Sequence, residues 1–182
     1  MKTSIFISGI LATAFAGNAL AADFKLSSKT NKAGAAIPAE QYWNNFGCSG
    51  GNVMPQIEWK NAPAGTKSFA VTFYDKDAPT GSGFWHWIAY DIPADVTQLA
   101  GGANGGTLPA GAIEGNTDLG KPGFFGPCPP VGRKHNYVWT VHALKVDKLP
   151  VDKEASPALV GFFLWQNRIG EATLPITAGP RK

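Results

Sequence analysis

The chain has 182 residues, of which 44% are hydrophobic, so it can bury one good core and two independent domains are not expected. Its formal net charge is +3 at pH 7, and its lysines and arginines are scattered rather than gathered in a basic run, so nucleic acid is not an expected partner. The 22 glycines and 14 prolines are too many for a typical helical protein and predict short strands joined by many turns.

The first residues have the pattern of a secretory signal peptide. Lys2 precedes an apolar run, which ends in the small-x-small cleavage motif ALA at 19–21. The run is shorter than the ~20 residues that a membrane span needs, and no later segment is long and apolar enough. We therefore predict a signal peptide over residues 1–21, a single domain over residues 22–182, and a periplasmic or secreted mature protein without a membrane span.

Three segments are typical of strands. The first, residues 67–74 (KSFAVTFY), is apolar, β-branched and aromatic, as expected of a strand in the middle of a sheet. The second covers residues 84–92 (FWHWIAYDI), and Pro93 ends its pattern. The third covers residues 135–146 (HNYVWTVHALKV). Residues 97–125 are dense in glycine and predict a long irregular excursion rather than a second core.

The C-terminal part predicts one helix and one last strand. Ser156 and Pro157 suit the N-cap and the first position of a helix. Apolar residues then follow near helical spacing, at Leu159, Phe162, Phe163 and Ile169. A strand over residues 174–178 would lie at a sheet edge because Pro175 cannot donate a ladder hydrogen bond. Strands separated by long loops argue against a doubly wound fold, so the predicted class is mostly β (α+β), with antiparallel pairing and a helix near the C-terminus.

Two cysteines, Cys48 and Cys128, lie in the predicted mature chain. In an oxidising compartment they permit one internal pairing, so we predict a disulfide between them. In the chain-entropy model, closing so long a loop contributes about 4 kcal/mol at most. Two separately buried thiols or an intermolecular bridge are the alternatives, and both are less expected in an exported protein.

Side chains alternate along a strand, and this alternation sorts the candidate site residues by face. On the second predicted strand, one face carries Phe84, His86, Ile88 and Tyr90, and the other carries Trp85, Trp87 and Asp91. On the third predicted strand, one face carries His135, Tyr137 and Trp139, and the other carries His142. His142 is mid-strand among apolar neighbours, which indicates a core or surface histidine. His86 and His135 each begin a strand beside a Gly or Pro loop, as a site residue would.

Two aspartates follow the first predicted strand. Asp75 closes that strand ahead of a loop that returns through His86, so its carboxylate can orient or charge an imidazole. Asp77 lies in a turn sequence where aspartate commonly accepts backbone N–H bonds, so a structural role is at least as well supported as a functional one. The later segment 126–132 (GPCPPVG) predicts a stiff wall just before His135, because proline fixes the backbone and glycine permits close approach.

The sequence has no C-x-x-C, no H-E-x-x-H and no complete phosphate-binding motif G-x-x-x-x-G-K-[ST]. The stretch GCSGG at 47–51 has the letters of G-x-S-x-G, but it lies in a predicted loop that leads into a strand rather than in a strand-to-helix elbow. Ser49 and Ser82 lie in glycine-rich loops without an assigned base, so no nucleophile is evident. We therefore expect no catalytic residue, no metal and no cofactor. One alternative stays open because the residue types suit a facial metal site: Asp75, Asp77, His86 and His135.

Two ordered motifs resemble signatures of the phosphatidylethanolamine-binding protein family. Residues 74–79 (YDKDAP), followed by HW at 86–87, are similar to its D-P-D-A-P…H-W signature. Residues 126–137 (GPCPPVGRKHNY) are similar to its G-P-x-P-P-x-G…H-x-Y signature. The GCSGGN stretch at 47–52 and the exported cysteine pair look most like the bacterial Raf-kinase-inhibitor-like (YbhB/YbcL-type) branch. Lys76 departs from the family pattern, which has proline between the two aspartates.

The resemblance covers nearly the whole mature chain and implies both a fold and a site. It implies a large antiparallel sheet packed on a smaller one, with a shallow pocket for phosphate-like or other small anions. Carried over by motif position, the pocket residues are Asp75, His86, Pro129, Pro130, His135 and Tyr137, with Asp77 supporting the loop. The assignment of strand faces reaches four of them without the family: Asp75, His86, His135 and Tyr137.

We therefore expect an exported, non-catalytic protein that binds a small anion such as phosphate or a phosphorylated headgroup. Two imidazoles, with protonation favoured by Asp75 and by the anion, would hydrogen-bond the ligand, and Tyr137 would be a further donor. Two alternatives stay open. One is an inhibitor or interaction protein that acts on a kinase, a protease or another partner through the same pocket. The other is a hydrolase that uses His86 and His135 as acid and base. A homodimer is also compatible with the sequence.

Overall fold

The structure is a computed structural model that describes residues 22–182, and the signal peptide expected at residues 1–21 lies outside them. Within the described residues, the strands in chain order are β1 (Lys25–Ser28), β2 (Val53–Met54), β3 (Ile57–Lys60), β4 (Ser68–Asp75), β5 (Phe84–Pro93), β6 (Gln98–Leu99), β7 (Gly102–Ala103), β8 (Ile113–Glu114), β9 (His135–Leu144) and β10 (Arg168–Ala178). A 3-10 turn covers Ala39–Gln41, and the helix α1 covers Pro157–Asn167. No helix in this part of the chain is long and apolar enough to cross a membrane.

The three segments with the clearest strand pattern pair with one another in the middle of a five-stranded sheet. The order across this sheet is β10-β9-β4-β5-β8, and every pairing is antiparallel. Strand β4 is buried from Ser68 to Phe73, as its apolar sequence predicts for a strand with both faces covered. Strand β10 lies at the edge of the sheet, where Pro175 is tolerated because no further strand needs its N–H.

A different layer covers each face of the large sheet. On one face, Phe69 packs against Trp59 of a three-stranded sheet of order β1-β3-β6, with ring centroids 5.2 Å apart. On the other face, Ile88 and Tyr90 pack in a cluster with Leu164 of α1. The predicted fold, a large antiparallel sheet on a smaller one with a late helix, is confirmed.

The helix begins as predicted and ends earlier than its apolar spacing indicates. Ser156 is the N-cap, since its hydroxyl accepts a hydrogen bond from the N–H of Leu159 at 3.3 Å, and Pro157 takes the first helical position. The helix ends at Asn167, so Ile169 belongs to β10 and its assignment to the helix is wrong.

The last strand is longer than the predicted range 174–178, because β10 follows β9 along the whole length of that strand. The glycine-rich range 97–125 forms mainly irregular structure, as predicted. Its regular elements are the two-residue strands β6, β7 and β8, each of which pairs with a different earlier strand.

A bulge in β5 changes which of its side chains share a face. Between Trp85 and Trp87, both of which pair with β4, His86 has no partner of its own. An extra residue moves the residues beyond it to the opposite face. Trp87 therefore packs on the side of the small sheet and Trp85 on the side of the helix, so their predicted common face is wrong. The predicted common face of His86 with Ile88 and Tyr90 is wrong for the same reason.

Candidate ligand-binding site

The ends of three strands bring the candidate residues together at one end of the large sheet. Asp75 ends β4 and His135 begins β9, and the antiparallel pairing of Asp75 with Tyr137 makes all three neighbours. His86 arrives from β5 on the other side of β4, and its ring lies on the same face, beside the rings of Phe73 and Tyr137. The two sequence motifs, far apart in the chain, thus meet in one place.

The carboxylate of Asp75 is the polar centre of this group. Its Oδ2 lies 2.7 Å from Nδ1 of His135 and 4.0 Å from Nε2 of His86. Its Oδ1 accepts a hydrogen bond from the N–H of Asp77 at 2.9 Å. All three residues of the Asp–His–His group are buried, with exposed fractions of 3% for Asp75, 8% for His86 and 6% for His135. Because a carboxylate only accepts, Nδ1 is the protonated nitrogen that His135 presents to it.

His86 is neutral and has a defined tautomer. Its Nδ1 lies 2.7 Å from the carbonyl oxygen of Phe125, which only accepts, so Nδ1 carries the proton. Burial lowers the pKa of His86 to about 4 and outweighs the opposite effects of this hydrogen bond and of the Asp75 carboxylate. Asp75 thus favours protonation of His86, as expected, but burial outweighs this effect and keeps the ring neutral. Near neutral pH, Nε2 is a hydrogen-bond acceptor on the side that faces Asp75.

Asn52 fixes the peptide that orients His86. Its Nδ2 donates to the carbonyl oxygen of Phe124 at 2.9 Å, and its Oδ1 accepts from the N–H of Gly126 at 2.8 Å. Both neighbours of Phe125 are thereby held by one side chain. Glycine is required at position 126, because a Cβ there would lie 2.2 Å from the carbonyl oxygen of Gln41. Sequence reasoning missed Asn52, although it ends the glycine-rich stretch that marks the bacterial branch.

Tyr137 completes the polar floor. Its ring centroid lies 5.4 Å from that of His86 and 6.3 Å from that of His135, and 1% of the residue is exposed. Burial, together with the nearby charge of Asp75, raises the pKa of its hydroxyl, which therefore stays protonated near neutral pH. The Asp75 carboxylate is close enough to act on this hydroxyl through its charge and as a hydrogen-bonding group, yet no hydrogen bond of regular geometry joins the hydroxyl to a residue in the described range. A buried hydroxyl without a partner is costly, so this donor is suited to a ligand.

Two other candidate residues lie outside the lining of the site. Asp77 is exposed, and its Oδ2 accepts from the backbone N–H and the side-chain amide of Asn136 at 2.6 and 2.7 Å. These bonds lower the pKa of Asp77 and tie the loop after β4 to the start of β9. Pro129 is buried behind the pocket wall, where its carbonyl oxygen accepts from Nε of Arg181 at 2.6 Å. Pro130, in contrast, lines the pocket.

A cavity of about 350 Å³ opens above the polar floor. Its floor is formed by Asp75, His86, His135 and Tyr137. Its walls are mostly apolar and comprise Trp43, Phe46, Ala78, Pro79, Thr80, Phe84, Leu119, Phe125, Cys128 and Pro130. The volume lies in the range of small-molecule sites, roughly 300–1,000 Å³. A larger cleft of about 630 Å³ lies beside β1, β3 and β10, but none of its lining residues is a histidine or an aspartate.

Two loops that form this wall are joined by the predicted disulfide. Cys48 and Cys128 are bonded, with their Cα atoms 5.9 Å apart. The aromatic part of the wall was not predicted, although the positions of the aromatic residues beside the two cysteines indicate it. Trp43 and Phe46 precede one cysteine and Phe125 precedes the other, so a disulfide between them brings aromatic residues of both loops together.

A second cavity adjoins the first and has a cationic lining. Its volume is about 420 Å³, and it shares Pro79, Pro130 and His135 with the cavity above Asp75. The lining also includes Arg133 and Lys134, which are exposed. Positive charge therefore flanks the polar floor on the side of His135.

His142, the third histidine, lies apart from this site. Its Nε2 is 3.3 Å from Oγ1 of Thr72, and its Nδ1 is 3.9 Å from Oε2 of Glu171. Burial, followed by the charge of Arg168, lowers its pKa to about 3, so it is a neutral, buried histidine on the other face of β9. Among residues 22–182, no group of three or more His, Cys, Asp and Glu side chains is arranged to hold a metal ion.

Comparison with known proteins identifies relatives over most of the chain. The family model for phosphatidylethanolamine-binding protein matches residues 27–178. The UPF0098 protein YbcL of Escherichia coli K12 is 48% identical over 178 residues, which cover 96% of each chain. The UPF0098 protein YbhB of the same organism is 43% identical over 152 residues, which cover 82% of this chain and 96% of that protein. The crystal structure of E. coli YbcL, described as a new member of the mammalian PEBP family, superposes with a TM-score of 0.82 at 46% identity, over 86% of this chain and 98% of that one.

Proposed function

The chain belongs to the phosphatidylethanolamine-binding protein family, and from that premise we propose that it binds a small phosphate-like anion in the cavity above Asp75 without transforming it. One observation carries the proposal. Two hydrogen-bonding groups of residues that line the cavity make no hydrogen bond of regular geometry within residues 22–182: the buried hydroxyl of Tyr137, and Nε2 of His86, which is 4.0 Å from Asp75.

A phosphate group that keeps one proton is complementary to these groups. Tyr137 would donate to an anionic oxygen of the ligand, and Nε2 of His86 would accept its remaining O–H. His135 would keep its hydrogen bond to Asp75. The hydroxyl of Tyr137 and Nε2 of His86 then each have a hydrogen-bond partner of the right kind.

The surroundings of the floor also favour an anion. Arg133 and Lys134 line the adjoining cavity and raise the local concentration of negatively charged ligands. Asp77, the acidic residue in the same lining, already accepts two hydrogen bonds from Asn136. Pro130 would contact the ligand at the rim, while Pro129 and Asp77 would support the two loops from behind.

The state of the histidines supports binding rather than catalysis. A general base is most effective when its pKa lies near the working pH, whereas the pKa of His86 is lowered to about 4. The hydrolase alternative therefore has less support than the binding alternative.

We also propose that the protein is exported, to the periplasm or the medium. The sequence pattern of residues 1–21 supports this proposal, as does the Cys48–Cys128 disulfide, because such bonds persist in oxidising compartments. Fractionation of cells, with sequencing of the mature N-terminus, tests it. Retention of an uncleaved chain in the cytoplasm would overturn it.

A titration followed by NMR tests the binding proposal. Inorganic phosphate and phosphoethanolamine are added to the purified protein while the imidazole signals of His86 and His135 are observed. Both sets of signals should shift in a saturable manner, and the signals of His142, on the other face of the sheet, should not. If only His142 responds, or no imidazole responds, the cavity is not the anion site.

A further inference from the structure

The cavity above Asp75 has more room than an inorganic phosphate needs. Its volume of about 350 Å³ equals that of roughly twelve liquid water molecules at ~30 Å³ each, whereas phosphate has five heavy atoms. The polar groups lie on the floor, and the remaining volume lies between mostly apolar walls. A ligand that fills the site therefore carries an apolar substituent on its anionic group.

The part of the wall next to the proline loop is aromatic. Trp43 lies at its centre, with its ring centroid 5.0 Å from that of Phe46 at an interplanar angle of 36° and 5.4 Å from that of Phe125 at 74°. Phe84 stands nearer the floor, 4.9 Å from the ring of His86. These separations are those of interacting aromatic pairs, so the residues form a connected wall rather than isolated contacts.

Phe46 is the exposed member of this wall, and its backbone is held in place. The residue is 66% exposed, and its φ of 52° lies in the left-handed region, which is uncommon for a residue other than glycine. Its N–H donates to Oδ1 of Asn45 at 2.8 Å. On its other side, Nη1 of Arg181 donates to the carbonyl oxygen of Gly47 at 2.7 Å, and Cys48 is in the disulfide. An apolar ring fixed at the mouth of a cavity is prepared to contact a ligand at little entropic cost.

We propose that the anion bound above Asp75 carries an aromatic ring, and that Phe46 and Trp43 form the subsite for this ring. The inference rests on the proposed function, because the anionic group anchors the ring. An aromatic substituent is favoured over an aliphatic one because rings gain from offset or edge-to-face contacts in addition to burial. Aromatic walls can also hold an ammonium group, but the carboxylate in this lining belongs to Asp75, which His135 already engages. The ligand class is a small aromatic phosphomonoester, of which phenyl phosphate is the simplest member.

Calorimetric titration of the purified protein with four probes tests this inference: inorganic phosphate, phosphoethanolamine, cyclohexyl phosphate and phenyl phosphate. We expect phenyl phosphate to bind roughly tenfold more tightly than inorganic phosphate, with cyclohexyl phosphate between them. Phe46→Leu keeps apolar bulk but removes the ring, and it should reduce the affinity for phenyl phosphate about three- to tenfold. The same variant should leave the affinity for inorganic phosphate unchanged.

Phe162→Leu is the matched control, because Phe162 is 50% exposed on α1, on the far side of the large sheet. It should leave all four affinities unchanged. Equal affinities for phenyl phosphate and inorganic phosphate would overturn the inference and leave the proposed function standing. A cyclohexyl phosphate or phosphoethanolamine affinity that matches the phenyl phosphate affinity would overturn the aromatic preference. Failure of all four probes to bind would overturn the proposed function itself.

Discussion

Nε2 of His86 and Oδ2 of Asp75 face each other at 4.0 Å as two hydrogen-bond acceptors. The proton of His86 is on Nδ1, where Phe125 accepts it, and burial keeps the ring neutral. A ligand that enters between these atoms is best matched when it brings a proton of its own. The protonation state of the ligand therefore becomes part of its recognition.

The first prediction concerns the pH dependence of phosphate binding. The second pKa of a phosphomonoester is about 6, so the form with one proton is lost as the pH rises through that value. We expect the affinity for phosphoethanolamine to fall steadily between pH 5.5 and pH 8, measured by calorimetry at constant ionic strength. An affinity that is constant or rises over this range would contradict the proposed hydrogen-bond pattern.

A second prediction isolates the hydroxyl of Tyr137. Tyr137→Phe removes one oxygen that has no hydrogen bond to the described protein, so the fold should keep its stability. Phosphate affinity should fall about tenfold or more, the scale of one hydrogen bond to a charged group. Tyr90→Phe is the matched control, because the Tyr90 hydroxyl is also buried without a partner among residues 22–182 but lies on the side of α1. Equal effects of the two substitutions would show that Tyr137 does not contact the anion.

A third prediction is that mild acid destabilises the protein. His86 and His142 have folded-state pKa values lowered to about 4 and about 3 from 6.5, so between pH 6.5 and pH 4 the unfolded chain binds more protons than the folded one. The contribution of these two histidines to the free energy of unfolding is complete above pH 6.5 and decreases as the pH falls. For His86 alone, the loss at pH 4 is about 3 kcal/mol. Asp91, whose pKa burial raises, acts in the opposite direction.

Urea denaturation at pH 7 and at pH 4.5 measures this effect as a difference in the free energy of unfolding. His142→Gln removes one of the two neutral histidines without altering the cavity, and it should make the dependence on pH shallower. A free energy of unfolding that does not change, or that increases, between pH 7 and pH 4.5 would refute the burial argument for both histidines.

A fourth prediction concerns the loop after β4. Asp77→Ala removes two hydrogen bonds to Asn136, and the free energy of unfolding should fall by about 1 kcal/mol. Phosphate affinity should weaken less than in Tyr137→Phe, because Asp77 is not in the lining above Asp75. Asp95→Ala, at another exposed aspartate, serves as the control and should change neither quantity. A loss of affinity larger than that of Tyr137→Phe would assign Asp77 a direct contact with the ligand.

The alternation of side chains along a strand predicted the faces of this fold correctly where a strand pairs without a bulge. Strand β9 has no bulge within its pairing to β4, so simple alternation correctly separated His135 and Tyr137 from His142. The same rule failed on β5, because the extra residue at His86 depends on how that strand fits its neighbour rather than on its own composition.

Other features of the site depend on contacts between distant segments. The protonation of His86 depends on the balance between burial and the charge of Asp75, and a sequence displays the charge but not the burial. The aromatic wall depends on where the disulfide places Phe46 and on how Asn52 fixes the peptides around Phe125. Phe46, Asn52 and Phe125 lie in irregular loops, where the periodicity of the sequence does not predict the direction in which a side chain points.

The bulge at His86 also sets a condition for transferring this site to another protein. Asp75 pairs with Phe84, and His86 lies two residues further along β5 on the same face, but without the unpaired position Trp87 would no longer oppose Phe73 and its indole would move to the other face of the sheet. A transplant therefore has to carry the unpaired position with it, as well as the Phe125 carbonyl that selects the tautomer. For protein engineering, the portable unit is an irregular strand and its bracing loop rather than a triplet of side chains.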